Sequence, residues 1–208
     1  MKRLPELFER NRAWARRVNK VNPDFFRTLS HQQAPRYMWI GCADSRVPAT
    51  EIVDLAPGEI FVHRNVANVV VHSDFNCLSV LEFAVDVLKV EHVMVVGHYG
   101  CGGVRAVFDN AELGLADNWL GHVRDVKEWH KEALDRIWEA DKRFDRLCEL
   151  NVLTQALNVC RSTVVRNAWK RKQDLTVHGW IYDLKDGLLR ELGFCVSGAG
   201  EMPDGIRA

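Results

Sequence analysis

Trp39-Ile40-Gly41-Cys42-Ala43-Asp44-Ser45-Arg46 and Val96-Gly97-His98-Tyr99-Gly100-Cys101-Gly102-Gly103 decide how this chain is read. Each opens as an apolar run of strand character and breaks into a turn of small residues that carries metal-ligand side chains. Cys42 and Asp44 come from the first turn, His98 and Cys101 from the second. Two thiolates, an imidazole and a carboxylate form a donor set suited to Zn2+, which takes sulfur and nitrogen at tetrahedral sites. Both turns fall where a strand ends, the place where open α/β sheets hold their ligands. A structural pair of buried cysteines and a thiol redox site are the competing readings. The redox reading is the weakest, because Cys42 and Cys101 belong to separate turns rather than to one Cys-x-x-Cys motif.

Outward from these turns the chain alternates between strand and helix. Arg36 to Gly41 reads as the first buried strand and Val47 to Leu55 as a short helix. Ile60 to His63 is a second strand, ending at Arg64-Asn65. Ser73 or Asp74 caps a helix from Phe75 to Lys89, with Leu78, Leu81, Val85 and Leu88 on one side. His92 to Gly97 is nearly all apolar, as expected of a strand covered on both faces. Asp117 to Lys172 is helical in pattern, with breaks expected near Lys131–Asp135 and Ala140–Arg143. Leu175 to Leu184 is a fourth strand, and the Asp186-Gly187 turn leads into Leu188 to Phe194 as an antiparallel edge strand. The pattern predicts an α/β fold: a mainly parallel central sheet of four strands plus an antiparallel edge strand, flanked by helices.

Residues 1–34 read as an N-terminal helical arm. A first helix spans residues 3 to about 20, and Asn22-Pro23 starts a second through Phe25, Phe26 and Leu29. So many aromatics predict that the arm packs on its own domain or on a second subunit. Residues 35–197 form the α/β core and 198–208 a polar, loose tail, all within a single domain of 208 residues.

Apolar content of 47% and charged content of 27% are ordinary for a globular protein. The formal net charge is zero, which gives no footprint for nucleic acid or an anionic membrane and little repulsion against self-association. The six cysteines are spread without the density of a disulfide scaffold, which fits a reducing compartment. No apolar run reaches membrane-spanning length. The Arg-rich start contains Glu6 and Glu9 and lacks an apolar signal core, so the expected location is the cytoplasm.

The same residues carry a resemblance. Gln33-x-Pro35, Cys42-Ala43-Asp44-Ser45-Arg46, His63-Arg64-Asn65, Glu82-Phe83-Ala84-Val85, Gly97-His98, Cys101-Gly102-Gly103 and His178-Gly179-Trp180-Ile181-Tyr182 resemble the β-class carbonic anhydrases over nearly the whole chain. The resemblance implies one zinc per chain held by Cys42, His98 and Cys101, with water or Asp44 in the fourth position. It implies reversible hydration of CO2 to bicarbonate and a proton by attack of zinc-bound hydroxide. It also implies a homodimer or a dimer-of-dimers tetramer, with the N-terminal helices wrapping the neighbour. Gln33 matches an amide donor reaching the site from the partner, and Phe83 and Val87 match positions lining an apolar CO2 pocket. By helix periodicity alone both would be simple core. Gly102 and Gly103 allow close backbone approach at a helix N-terminus, a favourable place for an anion.

Asp44 and Arg46 are paired in the family. A bidentate Arg46 keeps the carboxylate off the metal and able to accept a hydrogen bond from the nucleophile. Once freed, Asp44 closes the metal coordination. Trp39, Arg64 and Tyr182 are all donors, and they match a type II-like subgroup in which they bind a non-catalytic bicarbonate that stabilises the closed state. No histidine stands out as a proton shuttle; His122, His130 and His178 are titratable, but helix-surface or core roles suit them better. The alternatives are a CS2 or COS hydrolase on the same zinc site and a non-catalytic zinc- or bicarbonate-binding protein. Asp44 and Arg46 speak against the latter, because a structural zinc needs neither.

Overall fold

The computed structural model describes residues 3–31 and 33–206, which divide into two compact units, one up to Ala34 and one from Pro35. The first unit holds α1 (Pro5–Val21) and α2 (Phe25–His31). Asn22 Oδ1 accepts the Asp24 N–H at 3.1 Å at the start of α2, the capping role expected of it. Trp14 packs edge-on against Phe26, with ring centroids 5.4 Å apart. No described side chain of either helix is fully buried.

The second unit is a five-stranded sheet: β1 (Tyr37–Cys42), β2 (Ile60–Asn65), β3 (His92–His98), β4 (Thr176–Asp183) and β5 (Leu188–Val196). Their order is β2-β1-β3-β4-β5; the first four are parallel and β5 runs antiparallel to β4, as the sequence predicts. β1 and β3 are buried almost along their whole length, which is why they read as unbroken apolar runs. The chain leaves β1 for β2 on one side and returns to β3 on the other, so the order reverses between β1 and β3. At such a switch point the loops diverge at the carboxyl ends of the strands and open a crevice.

The helices are α3 (Ala49–Ile52), α4 (Phe75–Glu82), α5 (Gly102–Phe108), α6 (Ala116–Trp129), α7 (Lys131–Asp135), α8 (Ala140–Arg161) and α9 (Thr163–Lys170). Asp74 caps α4 by accepting the Asn76 N–H, and the helix continues as a π-helical turn over Phe83–Val87. Two expected breaks fall elsewhere. Lys131–Asp135 is itself helical and Ala140–Arg143 opens α8; the interruptions are His130 and residues 136–139, which border these spans, and Ser162, which caps α9. Charged residues misplace these breaks because a solvent-facing turn of helix carries the same residue types as a loop.

α8 lies across β3 and β4, buried along most of its length. The segment after Ser197 is tied down where a loose tail was expected. The Ser197 N–H donates to Glu201 Oε2 at 2.8 Å, Arg161 donates to the Asp204 carbonyl at 2.9 Å, and Met202 and Ile206 pack on the core. All six cysteines are free, and only Cys195 is exposed. No helix among the described residues is long and apolar enough to cross a membrane.

Candidate metal centre

Cys42 closes β1 and His98 closes β3, so the switch-point crevice brings them together, and Cys101 follows on the turn into α5. Their ligand atoms all lie within 4.8 Å of one another, with the two sulfurs 3.8 Å apart. Ligands of one tetrahedral Zn2+ sit about 3.3–3.8 Å from each other. All three side chains are buried. His98 Nδ1 lies 3.0 Å from the Tyr99 carbonyl, which can only accept, so Nδ1 carries the proton and Nε2 presents a lone pair. That Nε2 is buried without a hydrogen-bond partner among the described residues. A buried ring nitrogen aimed at two thiols, with its tautomer fixed by a backbone carbonyl, fits a zinc ligand set.

The sulfur electrostatics agree. The hydrogen bond from Cys101 pulls the Cys42 thiol down to about 4 against its burial, with His98 and the Ala67 and Asp44 N–H groups helping. The same hydrogen bond, together with burial, pushes Cys101 up. The pair therefore gives up one proton readily and the second only in exchange for a cation.

Asp44 sits beside this cluster, gripped by Arg46. The Arg46 Nε donates to Oδ1 at 2.9 Å, a terminal guanidinium N–H to Oδ2 at 2.7 Å, and the Arg46 backbone N–H to Oδ1 at 2.9 Å. These donors hold the carboxyl well below the usual carboxylate range. Asp44 Oδ2 is 3.7 Å from His98 Nε2. The turn itself is braced by Arg64, which donates to the Cys42 carbonyl at 2.8 Å and to the Asp44 carbonyl at 2.5 Å.

Trp39 is fully buried, and its indole N–H has no hydrogen-bond partner among the described residues. The indole nitrogen lies over Gly41, 2.2 Å from where a Cβ would stand, so only glycine fits there. Gly41 is the register partner of Arg64, and Tyr182 packs in the same apolar cluster as Trp39. Gly102 opens α5 with nothing near its absent Cβ, whereas a Cβ on Gly103 would meet Val66 at 2.9 Å. Phe83 and Val87 are not the simple core residues expected: they are 43% and 61% exposed, and Phe83 stacks on Phe61. Gln33 is exposed in the N-terminal unit. His178 Nε2 lies 3.2 Å from His92 Nδ1, half-buried on the sheet, and His122 packs edge-on to Trp119. The half-buried His130 sits at the junction of α6 and α7.

Several supporting residues went unread in the sequence. Ala67 N–H donates to Cys42 Sγ at 3.4 Å, and Ala67 and Asn68 both have left-handed backbone, with φ of 64° and 48°. Asn151 on α8 donates to the Ala67 carbonyl, Gln155 accepts the Val70 N–H, and Asn65 closes the loop by bonding both backbone groups of Val69. Tyr99 donates to Glu149 at 2.6 Å, fixing the His98 turn to α8. The available signal was Asn151, Gln155 and Asn158 at helical spacing within an otherwise apolar stretch.

A buried two-sulfur, one-nitrogen cluster stands at the switch point of a parallel sheet with an arginine-held carboxylate beside it, a group that could hold a metal ion and whose donors are those Zn2+ takes. The carbonic anhydrase family profile matches residues 37–189. A carbonic anhydrase of Emericella nidulans is 46% identical over 187 residues, covering 90% of this chain and 82% of that protein. A Coccomyxa β-carbonic anhydrase solved with acetazolamide superposes with a TM-score of 0.92 at 40% identity, covering 100% of this chain and 94% of that one. A tetrameric β-carbonic anhydrase of Sordaria macrospora superposes with a TM-score of 0.88 at 38% identity, covering 92% and 97%. This chain belongs to the β class of the carbonic anhydrase family, the enzymes of reversible CO2 hydration.

Proposed function

We propose that the reaction runs at Cys42, His98 and Cys101 loaded with Zn2+, and that Asp44 and Arg46 switch the site under bicarbonate control. The observation that carries this reading is the bidentate Asp44–Arg46 pair held next to the unpartnered His98 Nε2. When bound, Zn2+ supplies a Lewis acid that lowers the pKa of water. Two thiolates and a neutral imidazole cancel its charge, so this ligand set acidifies water less than three histidines would, and the active form is favoured at alkaline pH. Asp44 Oδ2 is the acceptor beside the cluster; it takes a hydrogen bond from the attacking water and orients it toward CO2.

Released by Arg46, Asp44 Oδ2, which lies 3.7 Å from His98 Nε2, would join Cys42, His98 and Cys101 in holding the ion. A cavity of about 330 Å³, lined by Arg46, Tyr99, Gly100 and Asp145, gives the released guanidinium somewhere to go. Trp39 Nε1, Arg64 and Tyr182 offer donors for a planar oxyanion. A bicarbonate that draws Arg64 toward Trp39 takes the guanidinium off the Cys42 and Asp44 carbonyls, and so loosens the turn that presents Asp44. Assembly into a homodimer or a dimer of dimers places Gln33 of one chain near the site of another and covers the exposed Phe83 and Val87. The tetrameric Sordaria relative supports this.

Stopped-flow CO2 hydration over pH ~6.5 to 9.5 tests the reading, with and without added bicarbonate, on protein of known zinc content. The expected result is a steep alkaline rise that bicarbonate pushes higher and that Trp39→Phe and Tyr182→Phe flatten. A profile already flat at neutral pH and indifferent to bicarbonate removes the switch. No hydration from zinc-loaded protein removes the assignment of the site.

A further inference from the structure

A second group of metal-ligand side chains lies outside the centre described above. His63 near the end of β2, Asp74 at the cap of α4 and Cys77 in its first turn place their ligand atoms within 4.8 Å of one another. We propose that His63, Asp74 and Cys77 form a second divalent-metal site that takes Zn2+ and clips β2 to α4. The donors are again a thiol, an imidazole and a carboxylate, the types zinc selects, and their spacing meets the same bound as the first cluster. The two clusters share no residue.

The local geometry leaves the ligands available. Asp74 and Cys77 are three apart across the start of α4, hence on one face. Asp74 uses Oδ1 to cap Asn76 and keeps Oδ2 free of any hydrogen bond to a described residue. Asn65 Nδ2, held by the two bonds of its amide to Val69, lies 3.3 Å from His63 Nε2 and can only donate there, so an ion takes His63 in place of this contact. His63 and Cys77 are buried, and Asp74 is half-exposed, so an ion can enter from its side and keep a water as fourth ligand. His63 immediately precedes Arg64, which braces the Asp44 turn, so an occupied clip steadies the strand end that carries that brace.

The experiment equilibrates the full-length enzyme with micromolar free Zn2+ and counts metal per chain by mass spectrometry of the acid-digested protein. Co2+ is then added to enzyme whose first site already holds zinc. The expected result is a second equivalent of zinc and a thiolate-to-cobalt charge-transfer band in the near ultraviolet. Cys77→Ala loses both, and His63→Gln loses the second equivalent, with circular dichroism confirming that each variant is folded. Saturation of the wild type at one zinc, without the cobalt band, overturns the proposal, and needs no variant to fold. A second equivalent that persists in both variants overturns it equally, because the ion then sits elsewhere.

Discussion

Asn151→Ala isolates what α8 does for the metal centre. Asn151 is 1% exposed; its amide donates to the Ala67 carbonyl at 2.9 Å and accepts from Gln155 Nε2 at 3.0 Å. Alanine strips both contacts and leaves a buried carbonyl and a buried amide N–H unpaired, each costing about 1–3 kcal/mol. The loop it holds is unfavourable on its own, because left-handed backbone costs non-glycine residues roughly 1–2 kcal/mol each, and both Ala67 and Asn68 adopt it. The expected loss is about 3–4 kcal/mol in urea unfolding of the metal-free protein, the middle of the range for two unpaired buried groups. A second effect follows through Cys42. With Ala67 released, its N–H no longer points at Sγ, and outer-shell losses of this kind weaken metal binding about 10–100-fold. Competition against a zinc-binding dye reads that change. A stability loss under about 1 kcal/mol together with unchanged zinc affinity would refute the claim that α8 holds this loop.

Two further outcomes are expected. Gly103→Ala drives a methyl into Val66 at 2.9 Å, with Leu120 and Ala67 at 3.2 and 3.3 Å, and should cost about 1–3 kcal/mol of stability, whereas Gly102→Ala meets nothing and should leave the melting temperature of the isolated chain unchanged. Arg46 depresses the Asp44 pKa in the folded state, so the pair contributes stability that is fully present above the ordinary carboxyl value of ~3.9 and is lost as pH falls through the lowered folded value. A carbon-13 titration of the Asp44 carboxyl should therefore find its midpoint below the usual range, and Arg46→Ala should raise it; an equal midpoint in both proteins contradicts the pairing.

The sheet was legible because its central strands are buried on both faces. β1 and β3 leave no alternation to misread, and each ends in small residues that carry the ligands. Cys42, Asp44, His98 and Cys101 were legible for the same reason, since chemistry at strand ends is separated from core by the Gly-rich turns that follow. The helical half was harder to read. α6 to α9 carry charges on their outer faces, so the sequence marks amphipathic helix well and its interruptions poorly. Polar residues on α8 gave their spacing away but not their partners, because the partners are backbone groups of a loop more than eighty positions earlier.

Phe83 and Val87 carry this point furthest. Both lie on the π-helical turn after α4, where i→i+5 hydrogen bonding replaces the α-helical pattern; the Leu88 N–H bonds the Phe83 carbonyl. Cys77, Leu81, Ala84 and Val85 are nonetheless buried at the spacing of a regular helix, and Phe83 and Val87 fall on the opposite face and point outward. The expectation of core fails because it follows the apolar character of these residues and not the face they occupy, and two large apolar side chains stand in water. Exposed apolar residues of that size, beside Phe61, are stabilised when a surface covers them. The proposed assembly supplies such a surface, and the resemblance to the family assigns the same two positions to the CO2 pocket. On that reading the outward face of this one short turn serves both the packing of chains and the substrate.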